Sequence, residues 1–437
     1  MKKILLLFFL FCTLSSSAQL FKGLGFYPNR SIGAIHYDSI SQYLYVGGAF
    51  NDIAGQPTTL MAYYDGTTWN TLNYAYSGGS IQAIATFKGD IYFGGTKGIR
   101  KWDGIKVDSL GKTNGVDKAV FSLFNWKDSL LIVVGSFQLA DDSIPVKGIA
   151  TWDGLKWDTF KINVPLLGSS NDFRCVAYYK GEFYFGGNFS RTNSPYGKDI
   201  IRYDGSKWKD VGGGLKGDCW INDMEVYKDE LYIVGEFKKA DGNADNHIMK
   251  WNGQEWKEVG GGFDYQAFDL ITFKNELFAC GTLEHAGGVQ VKKIAKWDGN
   301  QWCGYLANFN NNVFNVEIYK DTLVFGDGYF NVPNQDQLHL LTDPTLTDSC
   351  GVINSLDESQ VEIISILPNP VIDYLTIEFD FDFVADFKVL SLYGVILEHG
   401  TIEGTNARID LGKLNSGYYI FIIESKSSTI THKFLKQ

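Results

Sequence analysis

Leu44-Tyr45-Val46-Gly47-Gly48, followed by Tyr64-Asp65-Gly66-Thr67-Thr68-Trp69, is the stretch that decides the fold. An apolar run ends in a glycine pair. A second apolar run ends in Asp-Gly, and a Trp follows three residues after the glycine. The same line returns as Phe183-Tyr184-Phe185-Gly186-Gly187 and Tyr203-Asp204-Gly205-Ser206-Lys207-Trp208. A repeat of this length marks a propeller or a solenoid, whose units bury their faces only against one another. The first runs end at Gly48, Gly95, Gly135, Gly187, Gly235, Gly281 and Gly326, with spacings of 47, 40, 52, 48, 46 and 45 residues. The second hallmark falls at Asp65-Gly66, Asp103-Gly104, Asp153-Gly154, Asp204-Gly205, Asn252-Gly253 and Asp298-Gly299. Asp-Gly and Asn-Gly between strands predict two-residue type I′ hairpins, in which both central residues take positive φ. With the apolar segment before each glycine run, such as Ile81-Gln82-Ala83-Ile84, each unit holds four strands.

The seventh unit lacks an Asp-Gly turn and its Trp strand. The run Leu20-Phe21-Lys22-Gly23-Leu24-Gly25-Phe26 is similar to the segments Val211–Leu215 and Val259–Phe263, so it is expected to complete the last sheet. Closing a ring this way removes exposed sheet edges. The expectation is an all-β chain with a seven-bladed β-propeller over residues 19–352. Six blades with an irregular last unit is the alternative. The repeats resemble secreted bacterial propeller repeats related to kelch-type and fungal cortical-marker propellers. That resemblance implies a fold and no particular activity.

The chain has 48 Gly but only 9 Pro in 437 residues, which suits short strands and tight turns. A formal net charge of −11 and the lack of a basic run argue against a nucleic-acid partner. Lys2 and Lys3, the apolar run Ile4–Leu14 and Ser16-Ser17-Ala18 read as a signal peptide over residues 1–18. The apolar run is too short to span a bilayer, and no other long one exists, so no transmembrane segment is expected. Five cysteines then remain, leaving at least one unpaired. Cys175 and Cys280 lie in strand patterns and read as buried apolar groups. Cys303 and Cys350 lie near the end of the repeats and are the expected disulfide.

The repeat stops after Gly351, and residues 353–362 read as a polar linker. Residues 363–437 then alternate through Leu375-Thr376-Ile377-Glu378-Phe379, Val389–Gly394 and Leu414–Ile420. Alone, this predicts a small immunoglobulin-like β-sandwich of about seven short strands. Its ordered motifs are Pro368-Asn369-Pro370, a turn at Gly394, Gly417-Tyr418, and a basic end that includes Lys433. These resemble the type A C-terminal sorting domain of type IX secretion cargo in Bacteroidetes. The resemblance implies export across the outer membrane to the cell surface or medium. The implied partners are the type IX secretion machinery and a sortase-like peptidase. An ordinary accessory sandwich is the alternative.

Chemistry is sparse by comparison. Trp102, Trp152, Trp251 and Trp297 share one repeat position, and Trp69, Trp157, Trp208, Trp256 and Trp302 share another. Repetition assigns them to the core between sheets. Trp126 and Trp220 fall outside both positions and are the candidate surface contacts. Asp241–Asn246 begins like a calcium loop, but it lacks the sixth-position glycine and the closing Glu. The six histidines show no metal spacing, and no nucleophile elbow or phosphate loop is present. Asp38-Ser39, Asp108-Ser109, Asp128-Ser129, Asp142-Ser143 and Asp321-Thr322, each before Ile or Leu, resemble Bacteroidetes O-glycosylation sites. Turn chemistry accounts for them equally. No catalytic, cofactor-binding or metal-binding residue is assigned, and no cofactor is implied. The expected function is binding or adhesion toward a glycan or protein. The alternatives are a polysaccharide hydrolase or lyase using channel carboxylates, and a structural surface component.

Overall fold

A computed structural model describes residues 21–437 except 73–78, 113, 161–171, 190–196, 306–308, 310, 329–335, 343–348, 351–362, 368–370, 392–395, 425–428 and 437. The expected signal peptide and linker lie outside the described residues. The chain divides into two compact units, Met1–Ile353 and Asn354–Gln437.

Among the described residues the first unit holds seven sheets of at least four strands. Their innermost strands are Ile32–Asp38, Ile81–Phe87, Val120–Trp126, Asp172–Tyr179, Trp220–Tyr227, Ala267–Phe273 and Val313–Tyr319, which define sheets 1 to 7. Each innermost strand lies beside the next, and the seventh returns to the first. This closed ring of radial sheets is a β-propeller. Phe21–Gly23 pairs antiparallel with Leu338–Leu341, with Phe21 opposite Leu341, so the N-terminal strand completes sheet 7.

The glycine pairs have a steric cause. Every innermost strand carries a bulge near its start, for example between Ile81 and Ala83, and the other six repeat it. The bulge pushes a backbone carbonyl toward the second strand. A Cβ on Gly95 would overlap the Ser80 carbonyl, and a Cβ on Gly47 would overlap the Ile81 side chain of the next sheet. The pair therefore fits its own sheet's bulge and the neighbouring sheet together.

The Asp-Gly turns differ from expectation. Tyr64 pairs with Trp69, so four residues form the loop rather than two. Asp65 Oδ1 accepts from the N–H groups of Thr67 and Thr68, both at 2.8 Å. Gly66 has φ +98°, whereas Asp65 is not in the positive-φ region. The short acidic side chain offers local acceptors that hold an open four-residue turn, so the type I′ requirement never arises. Type I′-like turns occur elsewhere, after the innermost strands. Phe87 pairs with Asp90 across Lys88 and Gly89, whose φ values are 52° and 82°.

Tryptophans and lysines join the sheets. Nε1 of Trp69, Trp157, Trp256 and Trp302 donates to the carbonyls of Leu24, Leu110, Val211 and Val259, just past the outermost strand of the preceding sheet, at 3.0–3.2 Å. Each ring also packs on the aromatic at the other repeat position, as in Trp297–Trp302 at 5.0 Å. Lys88 Nζ reaches forward to the Asp153 carbonyl at 2.6 Å. Lys180 does the same to Asn252 at 3.2 Å and Lys228 to Asp298 at 2.7 Å. Each lysine thus ties its own sheet to the Asp-Gly or Asn-Gly turn of the next.

In the second unit five strands form one antiparallel sheet among the described residues: Ile363–Leu367, Tyr374–Ser391, Ile396–Asp410, Gly417–Glu424 and Thr429–Lys436. About seven shorter strands were expected. The difference arises because Tyr374–Ser391 runs on for 18 residues. A register shift between Glu378 and Phe383 replaces the expected break. Leu375, Ile377, Val389, Phe421 and Ile423 form the core of this unit.

Candidate functional site

The seven bulges also build the site. The residue inside each bulge is Gly33, Gln82, Phe121, Arg174, Asn222, Phe268 or Phe314 in sheets 1 to 7. All seven line one cavity of ≈ 790 Å³, together with Ser31, Ser80, Asn312 and Asn315 among others. Since every innermost strand contributes its first turns of chain, the cavity is one mouth of the central channel. Backbone geometry repeats here while side chains do not. Core packing therefore does not dictate them, unlike the tryptophans.

Phe268 and Phe314 stack at 4.8 Å and 25°. Arg174 donates from Nη1 to Asn222 Oδ1 at 3.0 Å, and its guanidinium sits 5.6 Å from the Trp220 ring. Burial pulls its pKa down, and the charge of Asp172 partly opposes this. No carboxylate of the described residues lies within ion-pair distance of it. Gln82 Oε1 and Asn315 Oδ1 are buried acceptors without a donor. Asn315 Nδ2 is already committed to the Gly33 carbonyl at 3.3 Å.

One step further along the strands lie carboxylates. Asp223 Oδ2 accepts from Leu270 N at 3.0 Å, Asp269 Oδ2 from Val316 N at 2.8 Å, and Glu225 Oε1 from Thr272 N at 3.1 Å. His36 Nε2 accepts from Thr86 N at 3.1 Å. Each side chain satisfies the edge N–H of the next sheet's innermost strand, which has no strand partner on that side. Desolvation raises the pKa of Asp223 well above the carboxylate range, and the neighbouring Asp269 adds to the effect. Desolvation likewise raises Asp269 to about 7. The two acids therefore hold protons far above the usual pH.

Trp126 packs on Tyr178 at 4.1 Å, with Lys127 Nζ 4.7 Å from its ring. It stands where other sheets place Phe87, Tyr179, Tyr227, Phe273 and Tyr319, each with a lysine over the ring. Trp126 is thus a repeat residue after all, of a third repeat position. Trp220 is half-buried beside the mouth. Cys175, Cys219 and Cys280 are free and buried. Cys303 is disulfide-bonded, and its strand register sets it opposite Cys350. In the calcium-like loop, Asp245 Oδ2 accepts from Val259 N at 2.9 Å, and Asn243 Nδ2 donates to the Lys216 and Lys238 carbonyls. Pro368, Asn369, Pro370 and Gly394 lie outside the described residues. Gly417 and Tyr418 open the fourth strand of the second unit, with Tyr418 opposite Leu435 and Lys433 opposite Ile420.

The mouth residues were not singled out in the sequence. The signal was present: Gln82, Arg174 and Asn222 each follow a core residue (Ile81, Phe173, Ile221) at one repeat position.

Residues 365–437 match the family model described as the secretion system C-terminal sorting domain. This tail directs the chain across the outer membrane to the cell surface or extracellular space, and implies engagement with the type IX secretion machinery. No curated protein matches the chain. A solved structure described as "The beta-propeller domain of the Trilobed protease from Pyrococcus furiosus reveals an open velcro topology" is similar at 9% identity and TM-score 0.42. The match covers 74% of this chain and 95% of that one. Among the described residues no helix is long and apolar enough to cross a membrane.

Proposed function

We propose that the chain is an exported binding module, a seven-bladed propeller that holds a glycan or protein ligand at its channel mouth. Residues 1–18 serve as the signal peptide, 19–352 form the propeller and 353–362 the linker. Residues 363–437 form the sorting domain, which a sortase-like peptidase removes. Pro368, Asn369, Pro370, Gly394, Gly417, Tyr418 and Lys433 are its recognition motif, and Cys303–Cys350 clamps the end of the ring. One observation carries the binding reading: the seven equivalent bulge positions hold unlike side chains, three of them phenylalanines, around one cavity. Rigid scaffolds place ligand contacts in such concave, mixed apolar and polar sites.

The test is a glycan and protein array probed with the full chain and with Phe314→Ala. A ligand bound by the parent and lost by a folded variant supports the reading. Equal binding by both places recognition elsewhere.

The hydrolase or lyase alternative has one observation in its favour, the proton-holding Asp223–Asp269 pair. Against it, both carboxylates are committed to backbone N–H groups and neither lines the mouth cavity. Loss of turnover, with binding retained, in Asp269→Asn would favour the enzyme.

A further inference from the structure

We propose that the channel mouth takes an acidic sugar, a hexuronate unit, with its carboxylate on Arg174. The inference rests on the binding reading above and names the ligand's chemistry.

Three features of the mouth converge on it. Arg174 is a half-buried guanidinium without a carboxylate partner among the described residues, fixed at one edge by Asn222 Oδ1 at 3.0 Å. Its remaining N–H groups form a planar fork suited to a carboxylate, which accepts two parallel bonds. Asp172 offsets its charge at longer range, yet none of the described residues of the lining is an acid that would repel an anion. The rest of the polar lining is neutral amide and hydroxyl, which both donates and accepts, as sugar hydroxyls do. The phenyl rings of Phe121, Phe268 and Phe314 offer apolar surface to the C–H face of a pyranose, with no polar atom of their own. A peptide ending in a free carboxylate would also engage Arg174, but it does not offer the flat C–H face that three phenyl rings of the lining can cover.

The test is calorimetric titration of the full chain with tetrasaccharides of galacturonate, glucuronate, mannuronate and guluronate. Each is paired with its carboxyl-reduced neutral counterpart. The expected result is binding of at least one acidic oligomer, with its neutral counterpart roughly 10–100-fold weaker, the loss typical of a charge-assisted bidentate pair. Arg174→Gln brings the acid-to-neutral affinity ratio down toward one, while Arg174→Lys is intermediate. The acid-to-neutral comparison needs no variant and stands even if Arg174→Gln fails to fold. Equal affinity for acidic and neutral sugars, both lost in Phe314→Ala, would overturn the uronate inference and leave mouth binding intact. So would binding of a peptide carboxylate and of no uronate. Absence of any binding at the mouth would remove both readings.

Discussion

Replacing Asp269 with Asn should flatten the pH dependence of propeller stability. In the folded chain burial raises the Asp269 carboxyl from 3.8 to about 7. The folded state therefore binds the proton more tightly than the unfolded chain. Below about pH 4 both states are protonated and stability is unaffected. As pH rises toward 7 the unfolded chain ionises first and gains, so folding free energy is lost across that window. A shift of about three units corresponds to roughly 4 kcal/mol, of which the span from pH 5 to pH 7 contains about 2–3 kcal/mol. Asn remains neutral throughout, and its Oδ1 can still accept from Val316 N. The exposed turn carboxylates Asp65, Asp103, Asp153 and Asp204 shift the other way, held low chiefly by hydrogen bonds. Their titration is complete below pH 5 and does not mask the effect. All 11 tryptophans lie in residues 69–302, so their fluorescence reports on the first unit alone. Urea unfolding of parent and Asp269→Asn at pH 5 and pH 8 measures the slope. The parent should lose about 2–3 kcal/mol more than the variant between the two pH values. Parallel behaviour would refute the proton-holding pair, whatever the absolute stabilities.

Four further outcomes follow from the same contacts. Gly95→Ala should destabilise the propeller by about 1–3 kcal/mol in urea unfolding, since its Cβ overlaps the Ser80 carbonyl of the bulge. Trp302→Phe should cost about 1–3 kcal/mol by the same assay, because the Val259 carbonyl loses its donor in a buried interface. Alkylation of the unfolded, unreduced mature chain should label Cys175, Cys219 and Cys280 only; mass spectrometry finding Cys303 or Cys350 labelled would remove the proposed clamp. Deleting residues 365–437 should leave the protein in the periplasm, scored by fractionation, and export of the truncated chain would show that the tail is not the address.

The architecture was legible because it is written in repeats. At least one glycine of the Gly47-Gly48 position recurs in every sheet, and a Trp at the Trp69 position in five of the seven, so their spacing announces the sheets. The Asp-Gly turns were located correctly and mistyped, since the Asp65 carboxylate supplies local acceptors that a φ-based rule does not count. The type I′ turns passed unseen because Lys88-Gly89 and Lys228-Asp229 lack the familiar Asn-Gly or Asp-Gly pair. Trp126 shows the opposite failure: it looked exceptional because the repeat position it occupies varies among Phe, Tyr and Trp. The mouth was hidden for a related reason. Arg174 and Phe314 become equivalent only when the bulge aligns their strands, and a bulge is a property of backbone pairing that side-chain periodicity cannot display. The Asp223–Asp269 pair, 46 residues apart in sequence, becomes a pair only through the neighbouring of sheets 5 and 6.

The pairing of Phe21–Gly23 with Leu338–Leu341 sets an order of events in time. The first strand of the propeller to be synthesised cannot find its partner until the last sheet exists, because that partner lies at the other end of the ring. Sheets 1 to 5 and the first four strands of sheet 6 can each form from local hairpins, while sheet 7 waits for a contact of nearly maximal sequence separation. Until that strand docks, the ring has an unpaired edge at Leu338–Leu341, and Phe21 stays outside the apolar cluster it packs in. For a chain that must cross two membranes, the interval before closure is when chaperoning matters most. A change that slows only this last pairing would lower the yield of exported protein without altering the stability of the finished ring.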